Sequence, residues 1–247
     1  MLRLPLLPAL ALTAALTATP ASAAEPALDR AAVEKIVREY ILANPEIITE
    51  AVTILQRREE EAEAKAQAET LAKSRDALFA SKTTPVGGNP KGDVTIVEFF
   101  DYNCGYCKRS QPELEAALES DGKVKVVYKE LPILGPSSTV ASKVALAAAK
   151  QGKYEPVHTA LMNHKGKLDD STIFELAEDA GADMKRLRKD MEDASVQAEI
   201  DANLKLAQDL GIRGTPAFII HDTMIPGAID KDAFLASFKA AREAKRS

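Results

Sequence analysis

The residues with the most chemical potential are the two cysteines, which stand in the segment Cys104-Gly-Tyr-Cys107. The pattern predicts a strand just before them and a helix that starts among them. Backbone N–H groups and the helix dipole stabilise a thiolate there, so the pKa of Cys104 should fall below its usual value of about 8.5. Cys107, one turn deeper, is placed to resolve a mixed disulfide formed by Cys104. Lys108 and Arg109 could add to this stabilisation, but a solvated helix surface is the simpler interpretation.

Three other interpretations of the two cysteines fit less well. A zinc site needs about four ligands, and His158, His164 and His221 stand far along the chain. A c-type haem would need a histidine directly after Cys107, where Lys108 stands. A structural disulfide that closes so short a loop stabilises weakly. A redox-active dithiol is therefore the preferred interpretation, and it requires neither an organic cofactor nor a metal ion.

Two further segments could take part in thiol chemistry. Glu98 is the one carboxylate in the apolar run 94–100, where it either faces outward at a sheet edge or lies buried beneath the active site. Burial would raise its pKa and let it relay a proton to or from Cys107. The residues alone leave both alternatives open. Thr215-Pro216 precedes another apolar run, and its X–Pro bond suits either a cis turn or an ordinary trans start of a strand.

The pattern around these segments predicts an α/β fold. The predicted elements are strands at 94–100, 124–129, 217–221 and 224–225, and helices at 103–120 and from 231 onward. Residues 137–210 are helical and alanine-rich in pattern, with breaks near Gly152, 163–167 and Gly181. The order of these elements indicates an α/β domain with a helical insertion.

Composition excludes several classes of protein. The 247 residues are 46% hydrophobic and 28% charged, which is incompatible with a wholly disordered chain. The formal net charge of −5 argues against nucleic acid as a partner, because binding to phosphates needs a basic face.

Residues 1–23 have the pattern of a cleaved secretory signal peptide. Arg3 is followed by a short apolar core, and the small residues Ala21-Ser-Ala23 form a typical cleavage site. Prolines and threonines within this short run argue against an uncleaved membrane anchor. We therefore expect an exported protein, in a compartment where disulfides can form and persist.

Residues 24–82 predict a helical stalk that precedes the α/β domain at 83–247. Large apolar residues recur in its first part at intervals of three and four, namely Val33, Ile36, Val37, Tyr40, Ile41, Ile48, Val52 and Leu55. An apolar stripe outside a globular domain needs a partner surface, and self-association through 28–55 is the simplest explanation. Residues 56–82 are rich in Ala, Glu, Lys and Arg. A solvated linker helix explains this segment as well as a continuation of the self-associating stalk does.

Two segments carry a resemblance to a known family. Glu98-Phe-Phe-Asp-Tyr-Asn-Cys104-Gly-Tyr-Cys107, followed downstream by Gly214-Thr-Pro216, resembles the DsbA family of thioredoxin-like thiol–disulfide oxidoreductases. Tyr40-Ile-Leu-Ala-Asn-Pro-Glu46 and the helix after it resemble the N-terminal region of the ScsC and Com1-like subgroup. The resemblance implies a thioredoxin-like fold with a helical insertion at about 137–210, preceded by a stalk that forms a homodimer or homotrimer.

The resemblance also implies a role for each site residue. Cys104 would be the exposed, attacking cysteine and Cys107 the resolving one. Glu98 would be a buried proton relay, the third catalytic residue. Pro216 would be cis and packed beside the disulfide, while Thr215 would hold an extended client segment through its backbone.

Departures from the family pattern bear on the reaction. Gly105-Tyr106 lacks the Pro and His of strongly oxidising DsbA proteins, and Thr215 before the proline resembles the isomerase side of the superfamily. We therefore expect a periplasmic protein-disulfide isomerase or reductase that acts on cysteine-containing client proteins. A membrane reductant of the ScsB or DsbD type would keep it reduced. One alternative is a DsbA-type dithiol oxidase; another, from a different class, is a copper(I)-handling or chaperone protein.

Overall fold

The computed structural model describes residues 29–80 and 83–245, so the predicted signal peptide at 1–23 lies outside the described residues. The helices are α1 (Arg30–Ala43), α2 (Glu46–Lys73), α3 (Arg75–Phe79), α4 (Gly105–Asp121), α5 (Pro136–Ala149), α6 (Tyr154–Asn163), α7 (Asp170–Asp179), α8 (Met184–Met191), α9 (Ala194–Asp209) and α10 (Lys231–Ala244). The strands are β1 (Val86–Gly88), β2 (Val94–Phe100), β3 (Val124–Glu130), β4 (Ala217–Ile220) and β5 (Thr223–Pro226).

The described residues fall into two compact units, with the boundary inside α2 between Arg58 and Glu59. In the first unit, Asp29 is the N-cap of α1, and its carboxylate accepts a hydrogen bond from the backbone N–H of Ala31. None of the residues of α1 is buried. The predicted apolar stripe is exposed in this chain, with Ile36 at 65% and Leu55 at 56%. A row of large apolar side chains in water is a surface that a partner would cover.

The second unit is built on a five-stranded mixed sheet in the order β1-β3-β2-β4-β5. The central strand β2 runs parallel to β3 and antiparallel to β4. Its residues are almost all buried because the sheet is covered on both faces, which explains its nearly unbroken apolar sequence. The ends of β2 and β3 meet at one edge of the sheet, where the cysteine segment and the loop after β3 come together. This is the thioredoxin-like arrangement that the resemblance implies.

The two faces of the sheet carry separate apolar clusters. The larger one joins β2 and β3 to α4, α10 and the inserted helices, and it contains Phe100, Cys107 and Leu114. The smaller one lies on the other face and includes Leu71 of α2 and Leu78 of α3. Both leucines are buried, so the last turns of the predicted stalk are part of the packing of this unit.

The inserted helices α5–α9 occupy the predicted region, and three of their breaks fall at the predicted positions. A further break lies between α8 and α9, where the Asp193 side chain accepts a hydrogen bond from Ser195 N. Strand β1 was not predicted, because the sequence Val86-Gly-Gly is typical of a turn. A Cβ on Gly87 would lie 2.8 Å from the ring of Tyr128, so this close approach requires glycine. Among the described helices, none is long and apolar enough to cross a membrane.

Candidate active site

Cys104 is the N-cap residue of α4, directly after the loop that leaves β2. Its sulfur accepts a hydrogen bond from the backbone N–H of Cys107 at 3.4 Å and lies 3.2 Å from the Thr215 carbonyl oxygen, to which it donates when it is protonated. Both cysteines are free thiols. The thiol of Cys107 has the largest effect on the pKa of Cys104, which it lowers by hydrogen bonding to the sulfur. The Thr215 side chain and the backbone of Cys107 and Tyr106 act in the same direction, and together these groups outweigh burial and lower the pKa to about 5. This direction agrees with the prediction from the helix start.

The second thiol has the opposite electrostatic environment. Cys107 is fully buried, and burial is the largest of the causes that raise its pKa far above the usual range. Its hydrogen bond to Cys104 and the charge of Glu98 act in the same direction. The resemblance implied an exposed Cys104, but this expectation is wrong, because Cys104 is only 5% exposed with the Thr215 carbonyl against its sulfur.

Glu98 lies inside the fold rather than at a sheet edge. It is paired with Tyr128 on one side and Phe218 on the other, and it is completely buried. Neither carboxylate oxygen has a hydrogen-bond partner within residues 29–80 and 83–245. Burial, followed by the charges of Glu130 and Glu115, raises the pKa of Glu98 to about 8. A carboxyl group in this position can hold or release a proton near neutral pH.

The Thr215–Pro216 peptide bond is cis, as the resemblance implies. Beside it lies a largely apolar groove of about 410 Å³, whose lining includes Tyr106, Ile212, Thr215, Pro216 and Met224. We call this the client groove. It adjoins Cys104, whose thiol contacts the carbonyl of Thr215.

Asp101 is a site residue that the sequence reasoning missed. It is completely buried at the end of β2 and accepts hydrogen bonds from the backbone N–H groups of Ile133 and Leu134 at 2.9 Å each. It also accepts from the Ser138 hydroxyl and from the backbone of Asn103. Asp101 therefore ties the loop after β3 and the start of α5 to the cysteine segment. A carboxylate directly after an apolar strand and three residues before Cys104 was the available signal.

A second buried polar cluster, also missed, is centred on Glu130, the last residue of β3. The carboxylate of Glu130 accepts hydrogen bonds from the hydroxyls of Tyr102, Tyr154 and Ser142. The Tyr102 hydroxyl also lies 3.0 Å from Nδ1 of His158. Burial lowers the pKa of His158 to about 3, so this imidazole is neutral at physiological pH.

Lys108 and Arg109 differ in their surroundings. The interpretation of Lys108 as solvated surface is wrong, because its ammonium donates hydrogen bonds to the carbonyls of Leu161 and His164 at 2.8 Å each. The inserted α6 brings these carbonyls to α4, which local sequence could not reveal. Arg109 is exposed, and its guanidinium carbon lies 4.1 Å from the centre of the Tyr106 ring.

A dithiol at the start of a helix, at the end of the central strand of this sheet and against a cis-proline, defines a thioredoxin-like thiol–disulfide oxidoreductase. The pattern of the DSBA-like thioredoxin domain matches residues 95–239. The chain belongs to this DsbA-like family. In addition, residues 29–62 match the N-terminal domain of the copper resistance protein ScsC.

Solved structures agree with this assignment. A thioredoxin-like oxidoreductase from Silicibacter pomeroyi is 44% identical, with a TM-score of 0.67 over 68% of this chain and 98% of that one. ScsC from Proteus mirabilis, in a transitional conformation, is 35% identical, with a TM-score of 0.66 over 88% of this chain and 98% of that one.

The sequence is also similar to part of some curated antiporters. The Na(+)/H(+) antiporter NhaA 3 of Salinispora tropica is 28% identical over 63% of this chain. The chain spans only about a quarter of the length of the first curated antiporters it matches.

Proposed function

We propose that this chain is an exported, oligomeric protein-disulfide isomerase or reductase that acts on disulfide-bonded client proteins. The contrast between its two thiols carries the proposal. With a pKa of about 5, Cys104 is a thiolate at neutral pH, whereas Cys107 keeps its proton. The enzyme therefore has one thiolate that can attack a disulfide and one thiol that stays protonated until the resolving step.

The first step is attack by the Cys104 thiolate on one sulfur of a client disulfide. A bond forms between Cys104 and that sulfur, the client S–S bond breaks, and the other client sulfur leaves as a thiolate. An extended client segment in the client groove would be held by the backbone of Thr215 beside Pro216. The apolar lining of that groove suits a segment exposed by incomplete folding.

Two outcomes follow from this mixed disulfide. In reduction, Glu98 as a carboxylate takes the proton of Cys107, whose thiolate attacks Cys104 and releases the second client sulfur. Two electrons have then passed to the client, and the enzyme holds a Cys104–Cys107 disulfide. In isomerisation, the client thiolate attacks another client disulfide, and a client thiolate finally displaces Cys104 with no net electron transfer.

Reduction requires a supply of electrons, which we assign to a membrane dithiol reductant of the ScsB or DsbD type. No organic cofactor or metal ion takes part, because the two sulfur atoms carry the electrons. Gly105-Tyr106 between the cysteines and Thr215 before the cis-proline favour this reductive or isomerase role over oxidation. Export to the periplasm is supported by the signal pattern of residues 1–23.

Self-association of the stalk is the second part of the proposal. The exposed stripe on α1 and the start of α2 would be covered by the same stripe of one or two further chains. Two or three dithiols that face one client would then act on several of its disulfides within one complex, which we expect to speed isomerisation.

The direct test is recovery of a scrambled multi-disulfide protein by the full mature chain starting at Ala24, in a glutathione buffer. We expect rapid recovery of native disulfides and slow oxidation of a dithiol peptide by the enzyme's disulfide form. Rapid peptide oxidation with little recovery of the scrambled protein would instead identify a dithiol oxidase. The low pKa of Cys104 is the observation that favours this oxidase alternative, because a stabilised thiolate makes the corresponding disulfide a stronger oxidant.

Copper(I) handling is a second candidate, because the family matched by residues 29–62 is described as a copper resistance protein. Two adjacent thiols are soft ligands that suit Cu(I). This function predicts stoichiometric copper binding and a protective effect that persists without redox turnover. If both disulfide assays gave no activity, copper titration of the reduced chain would be the next measurement.

Glu98→Gln should slow the resolving step by about 10²-fold and remove its dependence on pH, since an amide cannot accept the proton of Cys107. The pKa of Glu98 is raised to about 8, so its carboxylate fraction, and with it the wild-type rate, should rise with pH up to that value. The measurement is single-turnover release of a client thiol from the mixed disulfide between about pH 6 and 9.

The same substitution has a second readout that separates a relay from a structural defect. The pKa of Glu98 is about 8 in the folded chain, against an ordinary value of 4.5. Below pH 4.5 the carboxyl group is protonated in both the folded and the unfolded chain, so it costs no stability. Between pH 4.5 and about 8 it ionises in the unfolded chain first, so the folded state loses stability progressively as the pH rises. The cost is on the order of 1.4 kcal/mol for each pH unit in that window. Glu98→Gln should therefore unfold at higher urea concentration at pH 7. A slower variant that is also less stable would argue against the relay.

A further inference from the structure

A second concave surface adjoins the start of α4, beside the dithiol. It has a volume of about 480 Å³ and lies between the first turns of α4 and the loop that follows α6. Gly105, Lys108 and Arg109 line it from α4, and His164 and Lys165 line it from the loop. We call this surface the basic cleft. It shares no lining residue with the client groove, although Gly105 and Tyr106 are neighbours in the cysteine segment.

The charge of the basic cleft is opposite to that of the chain. The whole chain has a net charge of −5, yet three lysine or arginine residues and no Asp or Glu are among the residues that line this surface. Arg109 and Lys165 are exposed, and neither has a carboxylate within ion-pair distance in the described part of the chain. Glu113, one turn further along α4, accepts a hydrogen bond from the backbone N–H of Lys231.

Neighbouring contacts hold the cleft in shape. Lys108 uses its ammonium to bind the carbonyls of Leu161 and His164, which fixes the loop against α4. The guanidinium of Arg109 packs on Tyr106, whose ring lines the client groove. Arg109 therefore stands between the groove and the cleft. The charges free to meet a ligand are those of Arg109 and Lys165.

We infer that the basic cleft binds acidic side chains of the client polypeptide, next to the segment that occupies the client groove. The inference rests on the proposed function, since the client is the one whose disulfide meets Cys104. Guanidinium and ammonium groups pair with carboxylates, and a local positive field also speeds the approach of an acidic segment. Preferred clients would carry apolar residues on one side of the cysteine and Asp or Glu on the other.

The test uses the full mature chain and peptides that each contain one intramolecular disulfide. Apolar residues stand on one side of the reactive cysteine, and two Asp, two Gln or two Lys stand on the other, with both chain directions tested. We expect kcat/KM to be about three- to tenfold higher for the Asp than for the Gln peptide, and lowest for the Lys peptide. The difference should shrink between about 0.05 and 0.5 M salt.

Charge variants locate the effect. The ratio of Asp-peptide to Gln-peptide kcat/KM should fall in Lys165→Glu or Arg109→Gln, and it should be unchanged in Lys185→Glu. Lys185 is an exposed lysine of α8 that does not line the cleft, and its reversal changes the net charge as much as Lys165→Glu does.

The outcomes separate this inference from the proposed function. Equal rates for the three peptides, a ratio that falls in neither cleft variant, or one that falls equally in Lys185→Glu would overturn the inference. Failure of the unmodified chain to reduce even the Gln peptide would instead overturn the proposed function. Reduction of the Gln peptide with no preference for Asp would leave the proposed function intact.

Discussion

Cys104→Ser should lose disulfide reduction and isomerisation down to the uncatalysed rate, a fall of more than about 10³-fold. A serine hydroxyl is not ionised at neutral pH, whereas the Cys104 thiol has a pKa of about 5 and is almost entirely thiolate. No other described thiol can take over, because Cys107 is buried with a raised pKa. Turnover of a disulfide peptide, followed by client thiol release, measures the effect.

Cys107→Ser is the matched variant, since it makes the same sulfur-to-oxygen change at the other cysteine, three residues along the chain. It should retain the first attack and accumulate a mixed disulfide between Cys104 and the client, visible as an adduct in intact-protein mass spectrometry. Equal activity of Cys104→Ser and the unmodified chain would refute the mechanism. An adduct on Cys107 in the Cys104 variant would show that the two roles are reversed.

Ile36→Glu together with Ile48→Glu should separate the chains and reduce isomerase activity at least about tenfold. Both isoleucines belong to the exposed stripe, at 65% and 52% exposure, and a charge there cannot be buried in an interface without a large desolvation cost. Reduction of a simple disulfide peptide should be unaffected, since it needs one dithiol. Light scattering gives the mass of the particle, and recovery of a scrambled protein gives the isomerase activity.

Leu42→Glu provides the control for this pair of substitutions. Leu42 is 67% exposed, and its position in α1 places it on the face of the helix opposite the stripe. It should leave both mass and isomerase activity unchanged. A single-chain mass for the unmodified protein, or full isomerase activity of the separated chains, would contradict the proposed role of the stalk.

A truncated chain needs a carefully chosen start. A chain that begins at Glu59 retains Leu71 and Leu78, which are 4% and 0% exposed in the smaller apolar cluster. A chain that begins at Thr83 loses both leucines, and each buried leucine contributes on the order of 2 to 5 kcal/mol. A loss of activity in the Thr83 form would thus mix reduced stability with the absence of the stripe.

The main elements of the domain could be predicted from sequence because their signals are local. Val94–Phe100 is an apolar run, and the cysteines stand where it gives way to a helical pattern. The burial of Glu98 could not be decided in this way, because it depends on the strands β3 and β4 that lie on either side of it. Those strands are separated from β2 in sequence but hydrogen-bonded to it in the sheet.

The missed contacts share the same origin. Lys108 looks like an ordinary helix-surface lysine until the end of α6 supplies two carbonyls from more than fifty positions away. Asp101 likewise finds its partners Ile133, Leu134 and Ser138 across the sheet edge. In both cases the residue type was visible in the sequence, but the partner was set by the tertiary fold.

The hydrogen bonds of Asp101 and Lys108 determine which parts of the domain can change in sequence during evolution. Asp101 is hydrogen-bonded to the start of α5 and Lys108 to the end of α6, so these contacts connect the first two inserted helices to the cysteine segment. Helices α7 and α8 follow α6 in the chain and take no part in these two contacts. Their exposed side chains can therefore change while the geometry of the dithiol is kept, provided that buried residues such as Ile173 and Leu187 keep their places in the larger apolar cluster.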